Sequence, residues 1–243
     1  MGEDSKIALV VGGSRGIGRA IVGRLAASGF DIWLTYQSNH AAAQEAQAAV
    51  EAQGRACRLL AFDLADRAAV RAALEPLVQT RCPDVLVFNA GIARDNLLAF
   101  MLDEEWDSVL RTNLDGFFNV AKPVIFEMIR MKRGRVVVIS SVSGQLGHAG
   151  QVNYSASKAG LIGAARALAR EVGRKNIFVN VVSPGVIETE MTAGIPKEQV
   201  LPLIPLHRFG TSEEVAAVVN FLCAEPHMYV HGQVIGVNGG MAV

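Results

Sequence analysis

Short apolar runs rich in β-branched residues recur along the chain, separated by longer stretches of helical pattern. Runs at residues 6–11 (KIALVV), 30–36 (FDIWLTY), 58–62 (RLLAF), 84–88 (DVLVF), 135–139 (RVVVI), 177–182 (IFVNVV) and 234–237 (VIGV) predict seven strands. Several are apolar at nearly every position, as in strands covered on both faces. Helices are expected from the glycine turn at 12–18 to about residue 28, then over 41–53, 66–79, 103–131, 151–173 and 212–224. Asp66 and Ser212 stand where N-caps belong, and Gly54 is a stop signal. Pro123 lies inside the 103–131 stretch and should kink it or cost it a hydrogen bond. Strand and helix alternate with short connections, which predicts an α/β, doubly wound parallel sheet of about seven strands. Helices would cover both faces of one Rossmann-like domain spanning residues 1–243. One region breaks the pattern: residues 184–210 carry four prolines and no periodicity, as a substrate loop would.

Composition narrows the function. A length of 243 residues suits one α/β domain, and half the residues are hydrophobic, enough for a large core. Lys plus Arg and Asp plus Glu each number 23, so the chain shows no net-charge signature of nucleic-acid binding. Cys57, Cys82 and Cys223 are far apart, odd in number and lack metal-ligand spacing, so free thiols and no metal site are expected. The MGEDSK lead is short and charged and runs into a strand, with no signal peptide or membrane span. A cytoplasmic protein follows from these readings.

The first candidate site is Gly12-Gly13-Ser14-Arg15-Gly16-Ile17-Gly18, between the first strand and first helix. Glycines there let the backbone approach a pyrophosphate at a helix N-terminus, although a tight turn without a ligand has the same sequence. The end of the second strand, Thr35-Tyr36-Gln37-Ser38-Asn39, has no acid for the ribose hydroxyls of NAD. Arg15 would suit a 2′-phosphate, or else be solvated. NADP(H) is the favoured dinucleotide, with Gln37 at its adenosine edge.

The second candidate site follows the fifth strand and reads SVSGQLGHAGQVNYSASK from Ser141 to Lys158. Tyr154 and Lys158 are four apart and share one helical face. A nearby ammonium favours the phenolate, whose parent phenol otherwise titrates near 10. Ser141, just past the strand end, would hydrogen-bond a substrate oxygen beside the phenol, moving a proton to or from an alcohol or ketone. A packed ring, a solvated lysine and a turn-capping serine would give the same bare pattern.

The whole set resembles the short-chain dehydrogenase/reductase family over essentially the full length. The matching pieces are Gly12-x-x-x-Gly16-x-Gly18, Asp63-Leu64, Asn89-Ala90-Gly91, Asn113, Ser141, Tyr154-x-x-x-Lys158 and Pro184-Gly185, in the family's order. Within the family the strongest likeness is to 3-oxoacyl-[acyl-carrier-protein] reductases, carried by VNYSASKAGLIG, VNVVSPGVIETEM, PLHRFGTSEEV and GQVIGVNGG. The resemblance implies catalytic roles for Asn113, Ser141, Tyr154 and Lys158. Tyr154 protonates the carbonyl oxygen, and Lys158 lowers the Tyr154 pKa and binds the nicotinamide ribose. Ser141 orients the carbonyl, and Asn113 holds a water that relays protons. It also implies that Asp63 and Leu64 meet the adenine, and that Asn89, Ala90 and Gly91 line the adenosine ribose. Pro184, Gly185, Ile187 and Thr189 flank the nicotinamide. NADPH is then the cofactor and reduction the direction.

The implied partner is an acyl carrier protein bearing a 3-oxoacyl thioester, with a homotetramer as the assembly and a dimer or a hetero-assembly as alternatives. Lys132, Arg133, Arg174 and Lys175 are candidates for its docking patch, or plain helix-terminal cations. A reductase of a free small ketone is the competing reading, and a non-enzymatic dinucleotide sensor is disfavoured by the complete Asn, Ser, Tyr and Lys set. Departures from the family pattern are His231 in YVHGQ, Asn238 where the final Asp-Gly-Gly usually has Asp, His207 beside Arg208, and the stretch Glu225-Pro226-His227-Met228. His148 either edges the substrate pocket or is an exposed loop residue.

Overall fold

β1 (Ile7–Val11) is buried at every position, and its side chains divide by parity between two cores. Ile7, Leu9 and Val11 enter one, and Ala8 and Val10 the other, as the period of two demands of a strand covered on both faces. The computed structural model describes residues 5–226 and 228–243; the first four residues of the MGEDSK lead, and His227 of the 225–228 stretch, lie outside the described residues. After β1 come α1 (Gly16–Ala27), β2 (Asp31–Tyr36), α2 (His40–Glu51), β3 (Cys57–Ala61), α3 (Arg67–Thr80) and β4 (Val85–Phe88). The second half holds α4 (Asp103–Leu110), α5 (Gly116–Met131), β5 (Gly134–Ile139), α6 (Val142–Leu146), α7 (Val152–Val172), β6 (Ile177–Pro184), α8 (Lys197–Val200), α9 (Ser212–Ala224) and β7 (Val234–Val237).

All seven strands are parallel, in the order β3-β2-β1-β4-β5-β6-β7. Side chains of α3, α5 and α7 fill the core on one face, and those of α1, α2 and α9 the core on the other. The order reverses between β1 and β4, and such a switch point opens a crevice at the carboxyl ends of the strands. The predicted doubly wound sheet is therefore present, with every predicted strand.

Three local expectations change. The single helix over 103–131 is two helices joined by a π-helical turn, Arg111–Asp115. Pro123 does not break α5, because Phe117, Val120, Ala121, Val124, Ile125 and Met128 are buried on both sides of it. Packing outweighs the one missing backbone bond. The N-cap of α9 is Thr211, whose Oγ1 accepts from Glu214 N while the Glu214 carboxylate accepts from Thr211 N (2.8 Å), a capping box one residue before Ser212. The 184–210 region is not featureless: it contains 3-10 turns at Glu190–Thr192 and Leu201–Leu203 around α8. Asp66 caps α3 as expected, accepting from Ala68 N and Ala69 N at 3.0 Å.

His231 explains its own departure from the family pattern. Its Nε2–H donates to Ala169 O near the end of α7 (2.8 Å), and its Nδ1 accepts from Val179 N in β6 (3.2 Å). The ring also stands edge-on to Phe178, centroids 5.9 Å apart. Both nitrogens are used, which fixes a neutral imidazole as a strap from helix to sheet edge. His231→Ala leaves the Val179 amide unpaired, so a loss of about 1–3 kcal/mol is expected in urea unfolding. An unchanged midpoint would show that the strap carries no weight.

Candidate active site

The glycine turn is bare because nothing larger fits. A side chain at Gly18 would put its Cβ 2.0 Å from Gly12 O, and one at Gly12 (φ 74°) would sit 2.8 Å from Ala90. The turn is tied to its neighbours: Asn89 Nδ2 donates to Gly12 O (2.9 Å), and Gly12 N donates to Thr35 Oγ1 (3.1 Å). Exposed backbone amides at the start of α1 thus sit in the β1–β4 crevice, which fits a dinucleotide pyrophosphate.

The predicted adenosine residues lie on both sides of that crevice, Gln37, Asp63 and Leu64 after β2 and β3, and Asn89, Ala90 and Gly91 after β4. Gln37 is exposed just past β2. Asp63 is exposed just past β3, with Oδ1 accepting from Ala65 N (2.8 Å), and Leu64 beside it is buried. Ala90 and Gly91 follow β4, and both Asn89 N and Ala90 N donate to Val11 O. Ser14 is buried in the turn, and Ile17 packs against the α1–α2–α9 core. Arg15 is exposed, and its Nη1 lies 2.8 Å from Glu190 Oε2.

On the β5–β6 side, Pro184 ends β6 and Gly185 N donates to Val237 O (3.0 Å). A Cβ on Gly185 would meet Asn238 Cα at 2.8 Å. Ile187 is buried and bridges to Gly210, and the Thr189 methyl rests over Gly16. These four form the far wall of the crevice.

Ser141, Tyr154, Lys158 and Asn113 converge. Ser141 caps α6, a short helix absent from the sequence expectation, and its Oγ accepts from Ser143 N (3.1 Å). That bond occupies an acceptor position of the hydroxyl and leaves its proton free to donate. Lys158 is 3% exposed and donates to Ile139 O (3.0 Å), with its ammonium 5.6 Å from the Tyr154 ring centre. Burial pulls its pKa from 10.5 down to about 8. Among the described residues no carboxylate pairs with it, and a side chain at Gly91 would meet both its ammonium and Asn113 Oδ1 at 3.2 Å. A buried ammonium with hydrogen-bonding capacity left over, beside a bare glycine, fits the ribose of a bound dinucleotide.

The direction of the Tyr154 shift corrects the simple expectation. Burial pushes its pKa up, the Ser141 hydrogen bond opposes this, and the Asp95 charge adds to the rise. Lys158 is not among the causes. The phenol is therefore protonated at neutral pH, the state a proton donor needs.

Asn113 sits in the π turn, fully buried, where the wider turn points it inward. Its Oδ1 accepts from Ile92 N (2.8 Å), and its Nδ2 donates to Ile92 O and Ser157 Oγ (both 3.0 Å). Ser157 Oγ in turn donates to Tyr154 O (2.8 Å). Ser157 was missed by sequence reasoning, yet it shares the Tyr154 face at i+3. Also missed was the chain Ser143 Oγ to Gln151 Oε1 (3.0 Å) and Gln151 Nε2 to Asp95 Oδ2 (2.7 Å), for which spacing gave no signal. His148 is exposed, its Nδ1 bonded to Ala149 O (2.8 Å).

Comparison with known proteins agrees with this arrangement. Residues 11–242 match a family described as enoyl-(acyl carrier protein) reductase. The chain is 48% identical to the 3-oxoacyl-[acyl-carrier-protein] reductase FabG of Aggregatibacter actinomycetemcomitans, over 98% of this chain and 99% of the relative. It is 43% identical to FabG of Escherichia coli (strain K12), over 99% of each chain. With FabG of Staphylococcus aureus (strain Mu50) the identity is 42%, over 98% of each. With the glycine turn at the switch point and the Asn, Ser, Tyr and Lys side chains gathered beside it, the chain belongs to the short-chain dehydrogenase/reductase family of nicotinamide-dependent oxidoreductases.

Proposed function

We propose that the protein reduces 3-oxoacyl-[acyl-carrier-protein] to the 3-hydroxyacyl form with NADPH, in fatty-acid or polyketide-type lipid biosynthesis. The carrying observation is the buried Lys158 ammonium 5.6 Å from the Tyr154 ring centre, in a chain this similar to curated reductases of that class. The bound nicotinamide supplies the hydride to the ketone carbon. Ser141 turns its hydroxyl from the Tyr154 oxygen to the ketone oxygen and holds it. Tyr154 gives that oxygen its proton, and Lys158 stabilises the resulting phenolate. Asn113 Oδ1 accepts one hydrogen bond, from Ile92 N, and its second acceptor position is the one a relay water would take. Residues 1–243 act as one domain, with 184–210 as its substrate loop, in the cytoplasm, where thiols such as Cys57, Cys82 and Cys223 stay reduced. Burial pushes all three up to about 12, which keeps them inert.

The carrier protein docks on Lys132, Arg133, Arg174 and Lys175, which are all exposed. These lie at the amino edge of the sheet, whereas Tyr154 is at the carboxyl edge, about 27 Å away along α7. A carrier on this patch therefore serves the site of a second copy. The exposed Phe118, Phe126, Ile129 and Met131 of α5 give that copy an apolar face, consistent with a homotetramer.

The test is NADPH oxidation with an acetoacetyl thioester, on carrier protein and on a pantetheine mimic, with NADH in parallel. Faster turnover on the carrier with NADPH is expected. Lys175→Glu should raise KM several-fold for the carrier substrate alone. Activity confined to free ketones would overturn the reading.

A further inference from the structure

Arg15 and Glu190 pair across the mouth of the crevice, and they come from opposite walls. Arg15 is the N-cap residue of α1, and Glu190 opens the first 3-10 turn of the substrate loop. Nη1 and Oε2 are 2.8 Å apart. The pairing is built rather than incidental, because the turn that carries Glu190 is fixed. Thr192 Oγ1 donates to Ile187 O (2.6 Å) and accepts from Thr189 N (3.0 Å). The root of the loop is held by Glu188 N to Gly210 O (2.9 Å) and Gly210 N to Val186 O (3.0 Å). A second contact seats the same turn on the cofactor groove: the Cβ a side chain would add at Gly16 falls 3.3 Å from Thr189 Cγ2. The neighbouring Glu188 is taken by Lys197 (2.9 Å), so Glu190 is the acid left to face Arg15.

We propose that Glu190 is a specificity-determining residue: its carboxylate occupies the guanidinium that a cofactor 2′-phosphate would use. The inference rests on the NADPH reading above. A dinucleotide without that phosphate has nothing to exchange for the carboxylate and leaves the pair closed. One that carries it takes Arg15 and leaves Glu190 facing a like charge, which loosens the turn from Gly16. Recognition of the 2′-phosphate is then linked to release of the substrate loop, and NADPH gives up part of its affinity to achieve it. The side chains are 58% and 74% exposed, so screening limits the competition to about two- to fivefold in affinity.

Fluorescence titration of the full chain with NADPH and NADH tests this without turnover. Glu190→Gln should tighten NADPH by about two- to fivefold and leave NADH unchanged. Arg15→Ala should weaken NADPH about tenfold or more, and adding Glu190→Gln to it should change nothing further. In the unaltered protein, hydrogen exchange across residues 188–203 should quicken with NADPH and not with NADH. Equal shifts for both cofactors in Glu190→Gln would reduce Glu190 to a structural role. No NADPH shift there, with Arg15→Ala still weakening NADPH, would overturn this inference alone. No effect of Arg15→Ala would overturn the NADPH reading itself.

Discussion

Tyr154→Phe is expected to lower kcat about 10²- to 10⁴-fold while NADPH binding stays within about twofold of the unaltered protein. The substitution removes one oxygen and keeps the ring, so the Lys158 ammonium keeps its neighbour at 5.6 Å and the α7 backbone keeps the Ser157 bond. Only the proton donor is lost. Burial and the Asp95 charge keep Tyr154 protonated, so its phenol carries a proton to deliver to an alkoxide. Stopped-flow hydride transfer and a nucleotide titration on the same preparation separate the two readouts. Unchanged turnover would remove Tyr154 from the chemistry.

Between pH 8 and 10.5, the native protein should gain about 3 kcal/mol of stability over a Lys158→Met variant, relative to their difference at neutral pH. The sign follows from where the proton resides. Lys158 titrates at about 8 in the fold and near 10.5 when unfolded. Below 8 both states carry the charge, and the fold bears the full cost of burying it. Above 8 the folded protein releases the proton while the unfolded chain keeps it, so stability rises with pH until the unfolded value is passed. Urea midpoints of both proteins at pH 7 and pH 10 measure the gain. Parallel behaviour of the two would show that burial does not strain the ammonium.

How far the sequence could be read depended on the kind of signal. Strands announced themselves, since an apolar run such as KIALVV has few other ways to satisfy both period and composition, and each predicted strand is present within one or two residues. Helix ends were less legible. Ser212 and Thr211 are both competent caps, and only the reach of Glu214 back to Thr211 N selects one. The π turn at Arg111–Asp115 left no mark, because its stability comes from Asn113 binding Ile92 and Ser157, residues remote in sequence. Pro123 costs α5 a local backbone bond, and the packing that offsets it comes from residues brought together in space.

The sequence by itself determined the alternation of strand and helix, the bare glycine turn, and the shared face of Tyr154 and Lys158. Each is a local property, set by periodicity or by the steric size of a residue in its own turn. Tertiary structure decided the rest. It pointed Ser141 at Tyr154, left Lys158 without a carboxylate, raised the phenol where a lowered value was expected, and closed Arg15 on Glu190. Those outcomes depend on burial and on charges brought together from distant segments. A pKa and an ion pair are fixed by distance and dielectric in space, and chain order carries neither.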